Sequence, residues 1–172
     1  MGVPFFDLRR QYESIKDEVR VAVEEVLESG QFALGEKVSS FERAFATYIG
    51  TKYAVGVNSG TSALWLAIMA CGVSEGDEVV TTPNTFVATA EAISYAGATP
   101  VFVDVDEHTF NLDPRSLSQF VEKRCTFDGR RLTDLSTNRP VTAVVPVHLY
   151  GQACDMEPIL NVATRYNLRV VE

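Results

Sequence analysis

The stretch Asn58-Ser59-Gly60-Thr61-Ser62 carries the residues best suited to bind an anion, and it opens an apolar helical segment. The first N–H groups of a helix have no intrahelical acceptor, and the helix dipole adds partial positive charge there. Gly60 would let an anion approach the backbone, and the hydroxyls of Thr61 and Ser62 would add donors. The stretch matches neither a GxxxxGK[ST] loop nor a dinucleotide glycine pattern. Taken alone, it therefore favours a simple helix cap over a phosphate site.

Two further side chains, Phe86 and His148, follow predicted strands, where ligands bind in open α/β sheets. Phe86 ends the run TTPNTF after the strand at 78–82 and could stack on a flat ring, although a core phenylalanine is the commoner case. His148 ends the strand at 141–148 and could shuttle a proton, contact a ligand or make a structural hydrogen bond. No second histidine or cysteine stands at metal-ligand spacing, so no metal site is predicted.

Alternating strands and helices with short connections must position these residues. Strands are predicted at 53–57, 78–82, 100–105, 141–148 and 168–171, and helices at 8–29, 36–49, from the 58–61 turn to 70, and at 85–95, 113–123 and 156–166. The strands are continuous apolar runs, which indicates that both sheet faces are covered. The pattern predicts an α/β fold with a mostly parallel sheet and flanking helices. The expected division is an N-terminal helical segment, 1–52, and an α/β part, 53–172.

Two segments carry local predictions of their own. The helix that ends near Ala70 is apolar nearly all round, which predicts burial on most sides. The stretch 124–140 is polar and basic and is longer than most connections between a helix and a strand. It is predicted to be an exposed insertion.

The charge balance excludes some classes of partner. The chain has 15 basic and 23 acidic residues and a net charge of −8, which argues against nucleic acid or an anionic membrane. Three widely spaced cysteines without a CxxC pair indicate a reduced protein, and no apolar run reaches the length of a membrane span. A cytoplasmic location is expected.

Six segments, read together and in order, give the chain a family resemblance. They are FFDL at 5–8, SGQFALG at 29–35, FERAFATYIGTKYAVGVNSGTSAL at 41–64, GDEVVTTPNTFVATAEAI at 76–93, GATPVFVDVD at 97–106 and VVPVHLYGQACDM at 144–156. This collinear set resembles the DegT/DnrJ/EryC1/StrS family of sugar aminotransferases, which use pyridoxal phosphate (PLP). The resemblance covers nearly the whole chain apart from 124–140.

The resemblance implies part of the large domain of the aspartate-aminotransferase-like fold, with PLP as cofactor. Gly60, Thr61 and Ser62 match the turn that binds the PLP phosphate in the family. Phe86 matches the aromatic side chain that stacks on the pyridine ring. The implied reaction moves an amino group, usually from glutamate, to a keto-sugar carried on a nucleotide, in a homodimer.

Two substrate contacts are expected, one from the resemblance and one from position in the predicted sheet. Phe32 lies in the 30–35 stretch, which matches a segment near the substrate entrance of the family. His148, at the carboxyl end of its strand, is the second expected contact.

Catalytic residues of the family are expected beyond this sequence. There the strand ending VVE is followed by an aspartate that pairs with the pyridine nitrogen, and the Schiff-base lysine comes later. None of the four lysines present has the expected context, so no catalytic residue is assigned here. Residues 1–172 alone are expected not to transaminate. Without two later strands, the strand at 53–57 would lack neighbours, so residues 1–172 alone are expected to be poorly soluble or non-native.

Two alternatives to the aminotransferase remain open from the sequence. One is a PLP-dependent sugar dehydratase of the same family, in which a histidine replaces the lysine. The other is a non-catalytic truncated product. The residues that discriminate between them lie outside 1–172.

Overall fold

The computed structural model describes residues 2–172. They divide into two compact units, one that ends at Gly56 and one that spans Val57–Glu172. The helices are α1 (Leu8–Ser29), α2 (Glu36–Ile49), α3 (Gly60–Ala70), α4 (Ala88–Tyr95), α5 (Pro114–Arg124) and α6 (Met156–Tyr166). The strands are β1 (Glu78–Thr81), β2 (Thr99–Phe102), β3 (Cys125–Phe127), β4 (Leu132–Asp134), β5 (Arg139–Val144) and β6 (Arg169–Val170). The predicted boundary between 52 and 53 stays a prediction.

The first unit contains α1 and α2, both of which begin and end where the sequence predicts. The carboxylate of Asp7 caps α1 by accepting the N–H of Arg10 at 3.2 Å. Gly30 and Gly50 end the two helices in the left-handed conformation, with φ of 64° and 80°. Glycine adopts this conformation without steric cost, which explains why both helices end there.

A single sheet of six strands organises the second unit, in the order β2-β1-β5. Beyond β5, two strands share its far edge: β4 pairs with residues 139–141 and β6 with residues 143–144. The strands β2, β1, β5 and β6 run parallel, whereas β3 and β4 pair antiparallel. The predicted α/β fold with a mostly parallel sheet is confirmed.

Helices cover both faces of this sheet. On one face, α5 and α6 bury Leu117, Phe120 and Ile159 against it, and on the other, α3 and α4 bury Ile68 and Ile93. Because β2, β1, β5 and β6 run parallel, their carboxyl ends meet at one edge of the sheet. The start of α3 lies at the same edge.

The predicted strand at 53–57 is wrong, because the structure forms no strand there within residues 2–172. Tyr53 and Val55 are exposed, and the N–H of Gly56 donates to the Glu42 carboxylate at 2.7 Å instead of to a neighbouring strand. An extended segment becomes a strand only beside another strand that takes up its N–H and C=O groups. No such neighbour accompanies 53–57 in the described residues.

The prediction that α3 is buried on most sides is also wrong. Among its side chains only Ile68 is buried, whereas Trp65, Leu66 and Met69 are between 36% and 48% exposed. Within the described residues α3 packs mainly against α4, so one face is covered. The apolar residues on the other face then remain accessible.

Most residues of the stretch 124–140 are exposed, as predicted, but the sequence missed the two strands that the stretch forms. Its residues form β3 and β4, an antiparallel hairpin that extends the sheet from β5. Leu132 and Asp134 are fully buried there. The Asp134 carboxylate accepts from the guanidinium of Arg124 at 2.7 Å and from the N–H and hydroxyl of Ser136 at 2.8 and 2.7 Å. These bonds allow a charged residue to lie inside the sheet, which polarity alone did not indicate.

A second buried carboxyl belongs to Glu78, which is 1% exposed. Its Oε1 accepts from the hydroxyl of Thr137 at 2.8 Å, and its Oε2 has no hydrogen-bond partner in the part of the chain that the structure describes. Burial is the largest influence on the pKa of Glu78 and raises it above the ordinary value, although the Thr137 hydrogen bond opposes this. Burial thus favours the neutral acid in the folded state.

Glu78 is therefore expected to make folding less favourable as the pH rises. An acid whose pKa is raised by folding contributes its full stability below its unfolded pKa of about 4.3 and loses it as the pH rises through the folded value. Glu78→Gln stays neutral throughout, so its melting temperature relative to the unsubstituted protein should increase between pH 4.5 and 7.5. Thermal unfolding of both proteins at the two pH values measures this. An equal difference in melting temperature between the two proteins at both pH values would contradict this prediction.

Candidate functional site

A cavity of about 460 Å³ lies at the carboxyl edge of the sheet. Its walls come from α3, from α4 and from the segments that follow β5 and β6. The residues of chemical interest that line it are Gly60, Thr89, Val145, His148, Val171 and Glu172. The cavity thus brings together Gly60 and His148, two of the residues predicted from the sequence.

The start of α3 presents hydrogen-bond donors at this edge. Ser59 caps the helix, because its Oγ accepts the N–H of Ser62 at 3.1 Å and donates to the Ser62 hydroxyl oxygen at 3.0 Å. The Ser62 hydroxyl hydrogen and the N–H groups of Gly60 and Thr61 then remain as donors, the latter because the first turn of a helix offers them no acceptor. Such a donor set, with the positive end of the α3 dipole, suits a phosphate.

Gly60 leaves room for a ligand beside these donors. Apart from its two chain neighbours and the backbone of its own helix, no described residue has an atom within 4 Å of the place that a Cβ on Gly60 would occupy. Packing within the described chain therefore does not require glycine here. The space on this side of Gly60 is open, and Gly60 lines the cavity.

The segment after β1 is fixed by hydrogen bonds, whereas its aromatic ring is free. The hydroxyl of Thr81 donates to the carbonyl of Val145 at 2.9 Å, and the hydroxyls of Thr85 and Thr89 lie 2.9 Å apart. Phe86 is 75% exposed at the entry to α4, and its carbonyl accepts the N–H of Thr89 at 3.0 Å. Phe86 is thus three residues from a cavity wall, with its ring uncovered by the described chain.

His148 makes hydrogen bonds through both ring nitrogens. Its Nδ1 accepts the N–H of Cys154 at 3.0 Å, and its Nε2 lies 3.0 Å from Oε2 of Glu172. Because Nδ1 accepts, the neutral ring carries its hydrogen on Nε2 and donates it to the carboxylate. The ring therefore joins the loop after β5 to the residue that follows β6.

A chain of hydrogen bonds continues along the same edge. The side-chain amide of Asn84, after β1, donates to the carbonyl of Phe110 at 3.1 Å. Asn111, which is 1% exposed, accepts from the N–H of Leu149 at 3.2 Å and donates to the carbonyl of Gln152 at 2.9 Å. We refer to these bonds and those of His148 as the edge network. It links the loops that follow β1, β2 and β5 to the end of β6.

The Cys154 thiol near this site and the Cys125 thiol in β3 are both affected by burial. Burial raises the pKa of the Cys154 thiol, and burial likewise raises the pKa of Cys125 to about 11. Both groups remain protonated near neutral pH and are therefore poor nucleophiles. The Cys154 thiol instead donates to the carbonyl of Val147 at 3.2 Å.

The remaining predicted site residues have different positions. Thr61 and Ser62 follow Gly60 in the first turn of α3. Phe32 belongs to the first unit, where it is 72% exposed on the connection between α1 and α2. The roles predicted for all these residues stay predictions. Sequence reasoning missed Thr89 and Glu172 as cavity residues, although Thr89 follows Phe86 at the three-residue spacing of one helix face.

Residues 2–172 contain neither a candidate metal cluster nor a candidate membrane-spanning helix. Among residues 2–172, no group of three or more His, Cys, Asp or Glu side chains could hold a metal ion. None of their helices is long and apolar enough to cross a membrane.

Comparison with known proteins identifies relatives. The model of the DegT/DnrJ/EryC1/StrS aminotransferase family matches residues 13–172. A relative from Aneurinibacillus thermoaerophilus, dTDP-3-amino-3,6-dideoxy-alpha-D-galactopyranose transaminase, is 42% identical over 170 residues, which cover 99% of the chain and 42% of the relative.

Solved structures show the same similarity. DesV from S. venezuelae, in complex with a ketimine intermediate, matches with a TM-score of 0.86 and 39% identity over 99% of the chain and 42% of DesV. The ntda protein from Bacillus subtilis, with bound cofactor PMP, matches with a TM-score of 0.81 and 30% identity over 98% of the chain and 35% of that protein. The chain thus spans less than half the length of each relative.

Proposed function

The chain belongs to the DegT/DnrJ/EryC1/StrS aminotransferase family, and from this membership we propose that the whole protein is a PLP-dependent sugar aminotransferase. It transfers an amino group, from glutamate, to a keto-sugar carried on a nucleotide. The observation that carries the proposal is the cavity at the carboxyl edge of the sheet, with Gly60 at the start of α3 in its wall. The transaminase relative is named for a dTDP-linked sugar, which supports this substrate class.

The residues present fit the phosphate of PLP. The N–H groups of Gly60 and Thr61 and the hydroxyls of Thr61 and Ser62 would hold it at the positive end of α3, and the open space beside Gly60 admits it. A cavity of about 460 Å³ lies within the range of roughly 300–1,000 Å³ that is usual for small-molecule sites. When bound, PLP supplies an electron sink for the carbon that gains or loses the amino group.

The other side chains of the site have distinct tasks in this proposal. Phe86 offers an uncovered aromatic face for the pyridine ring. Val145 and Val171 form an apolar part of the cavity wall, which would exclude water from the pyridine ring. Phe32 is the proposed substrate-side residue of the first unit, and His148 lies in the cavity wall. The whole protein acts as a cytoplasmic homodimer and binds glutamate and the nucleotide-linked keto-sugar.

The test uses the whole protein reconstituted with PLP. Adding glutamate should change the absorbance spectrum of the bound cofactor and release one 2-oxoglutarate per site. A dTDP-linked 3-keto sugar should then restore the first spectrum and yield an amino sugar, detected by mass spectrometry. If no 2-oxoglutarate forms and the sugar loses a hydroxyl group, the protein is the dehydratase. If the whole protein binds no PLP, the proposal fails.

A further inference from the structure

The ring of His148 is more firmly placed than a substrate contact requires. Its side chain is 32% exposed, and both nitrogens already have partners at 3.0 Å: the Cys154 N–H and the Glu172 carboxylate. The backbone donor at Nδ1 fixes the tautomer, because a nitrogen that accepts a hydrogen bond carries no hydrogen. Neither nitrogen has a free lone pair with which to take a proton from a bound molecule.

The two partners of His148 belong to segments that meet at the cavity. Cys154 lies in the loop between β5 and α6, and Glu172 follows β6 directly. On its other side this loop is held by the buried amide of Asn111, through Leu149 and Gln152. The loop is therefore fixed, and His148 transmits that fixed position to the end of β6.

We propose that His148 is a positioning residue, whose ring holds Glu172 and the backbone at the end of β6 against the cavity that contains Gly60. This inference rests on the proposed function, because it assigns His148 a role in shaping the cofactor site. It also excludes His148 as the group that transfers a proton in the reaction. The hydrogen bond to a carboxylate is of the stronger, charge-assisted kind, so its loss should be measurable.

Three substitutions separate the two hydrogen bonds. His148→Asn places an amide oxygen near Nδ1 and keeps an acceptor for the Cys154 N–H. His148→Gln places an amide nitrogen near Nε2 and keeps a donor for Glu172, whereas His148→Ala removes both. The matched control is His108→Ala, because His108 is the other of the two histidines and its side chain is 82% exposed.

Each variant of the whole protein is titrated with PLP, followed by absorbance. Loss of both hydrogen bonds in His148→Ala should raise the dissociation constant of PLP about tenfold. His148→Asn and His148→Gln should each recover part of this loss, and His108→Ala should bind like the unsubstituted protein. The pH profile of kcat/KM should keep both limbs at the same pH in every variant, since His148 donates and accepts no proton in the reaction.

Two kinetic outcomes would overturn the proposal. If PLP binding is unchanged and kcat falls with the loss of one limb of the pH profile, His148 transfers a proton. If PLP binding is unchanged and only KM for the keto-sugar rises, His148 contacts the substrate.

A readout without PLP separates this proposal from the proposed function. Hydrogen exchange of the Cys154 amide in the unloaded protein should be slow in the unsubstituted protein and in His148→Asn, and fast in His148→Gln and His148→Ala. Equal exchange in all four would overturn the positioning role. If the unsubstituted protein binds no PLP, the proposed function fails, and the exchange pattern still decides whether His148 holds this loop.

Discussion

Replacing Gly60 by aspartate is expected to weaken PLP binding by the whole protein about 100-fold or more without lowering its stability. A carboxylate beside the first turn of α3 would repel the phosphate, and two like charges about 4 Å apart repel by roughly 4 kcal/mol near a protein surface. The same carboxylate interacts favourably with the α3 dipole, by about 0.3–1 kcal/mol. Because a Cβ at Gly60 would meet no described atom within 4 Å beyond its chain neighbours and its own helix backbone, the folded chain itself accommodates the change.

The measurement pairs PLP titration with thermal unfolding of the unloaded protein. Gly60→Ala is the matched control, because it adds the Cβ without the charge and should weaken binding less than aspartate does. A melting temperature that falls with the affinity would show that Gly60 is needed for folding. Unchanged affinity in Gly60→Asp would place the phosphate elsewhere.

Asp134→Ala is expected to destabilise the whole protein by about 2–3 kcal/mol. The Asp134 side chain is fully buried, and its loss leaves the Arg124 guanidinium and the Ser136 N–H without their acceptor. Breaking a fully buried pair costs about 3–5 kcal/mol, and we reduce this figure because the Arg124 side chain is 52% exposed and screened by water. Urea denaturation measures the difference. Asp155→Ala is the control, because Asp155 is exposed and makes no side-chain cap bond to α6.

The cost of Asp134→Ala should also depend on pH. Burial raises the pKa of Asp134, but the hydrogen bonds from Ser136 and the charge of Arg124 outweigh it and hold the pKa below its ordinary value. A group with a lowered folded pKa contributes stability above its unfolded pKa and loses it as the pH falls through the folded value. The difference in the free energy of unfolding between Asp134→Ala and the unsubstituted protein should therefore become smaller below about pH 4. A constant difference down to pH 2.5 would refute the charged pairing.

The elements that the sequence predicts well are those whose ends are set locally. The helices α1 and α2 end at glycines with positive φ, and α5 is capped by Asp113, whose carboxylate accepts two N–H groups of its first turn. These signals lie within a few residues of the helix ends. The central strands are also found, because a run such as EVVT at 78–81 is buried throughout.

Strands at the sheet margin depend on residues far away. Residues 53–57 are apolar, yet they form no strand within residues 2–172. Residues 125–134 are more polar, yet they form two strands. Whether each forms a strand depends on what lies beside it. For 125–134 the neighbour is β5, and Asp134 is made tolerable by Arg124, ten residues earlier.

The candidate site divides in the same way. The donor turn at Gly60 is a local feature of a helix start, so the sequence could indicate it. One partner of His148, Glu172, is 24 residues away, and Asn111 reaches across 41 residues to Gln152. Contacts between residues so far apart in the sequence depend on how the loops are arranged, and no spacing in the sequence predicts them.

The way in which β4 and β6 share one edge of β5 also controls how the sheet can grow. The hairpin closes the amino half of that edge, and its outer strand β3 has only three residues, too few to template a foreign strand. The carboxyl half is taken by β6, so on this side of the sheet a further strand can extend the parallel part only by pairing with β6. The hairpin thus protects its part of this edge from pairing with a foreign strand and leaves β6 as the strand at which the parallel sheet can be extended on this side.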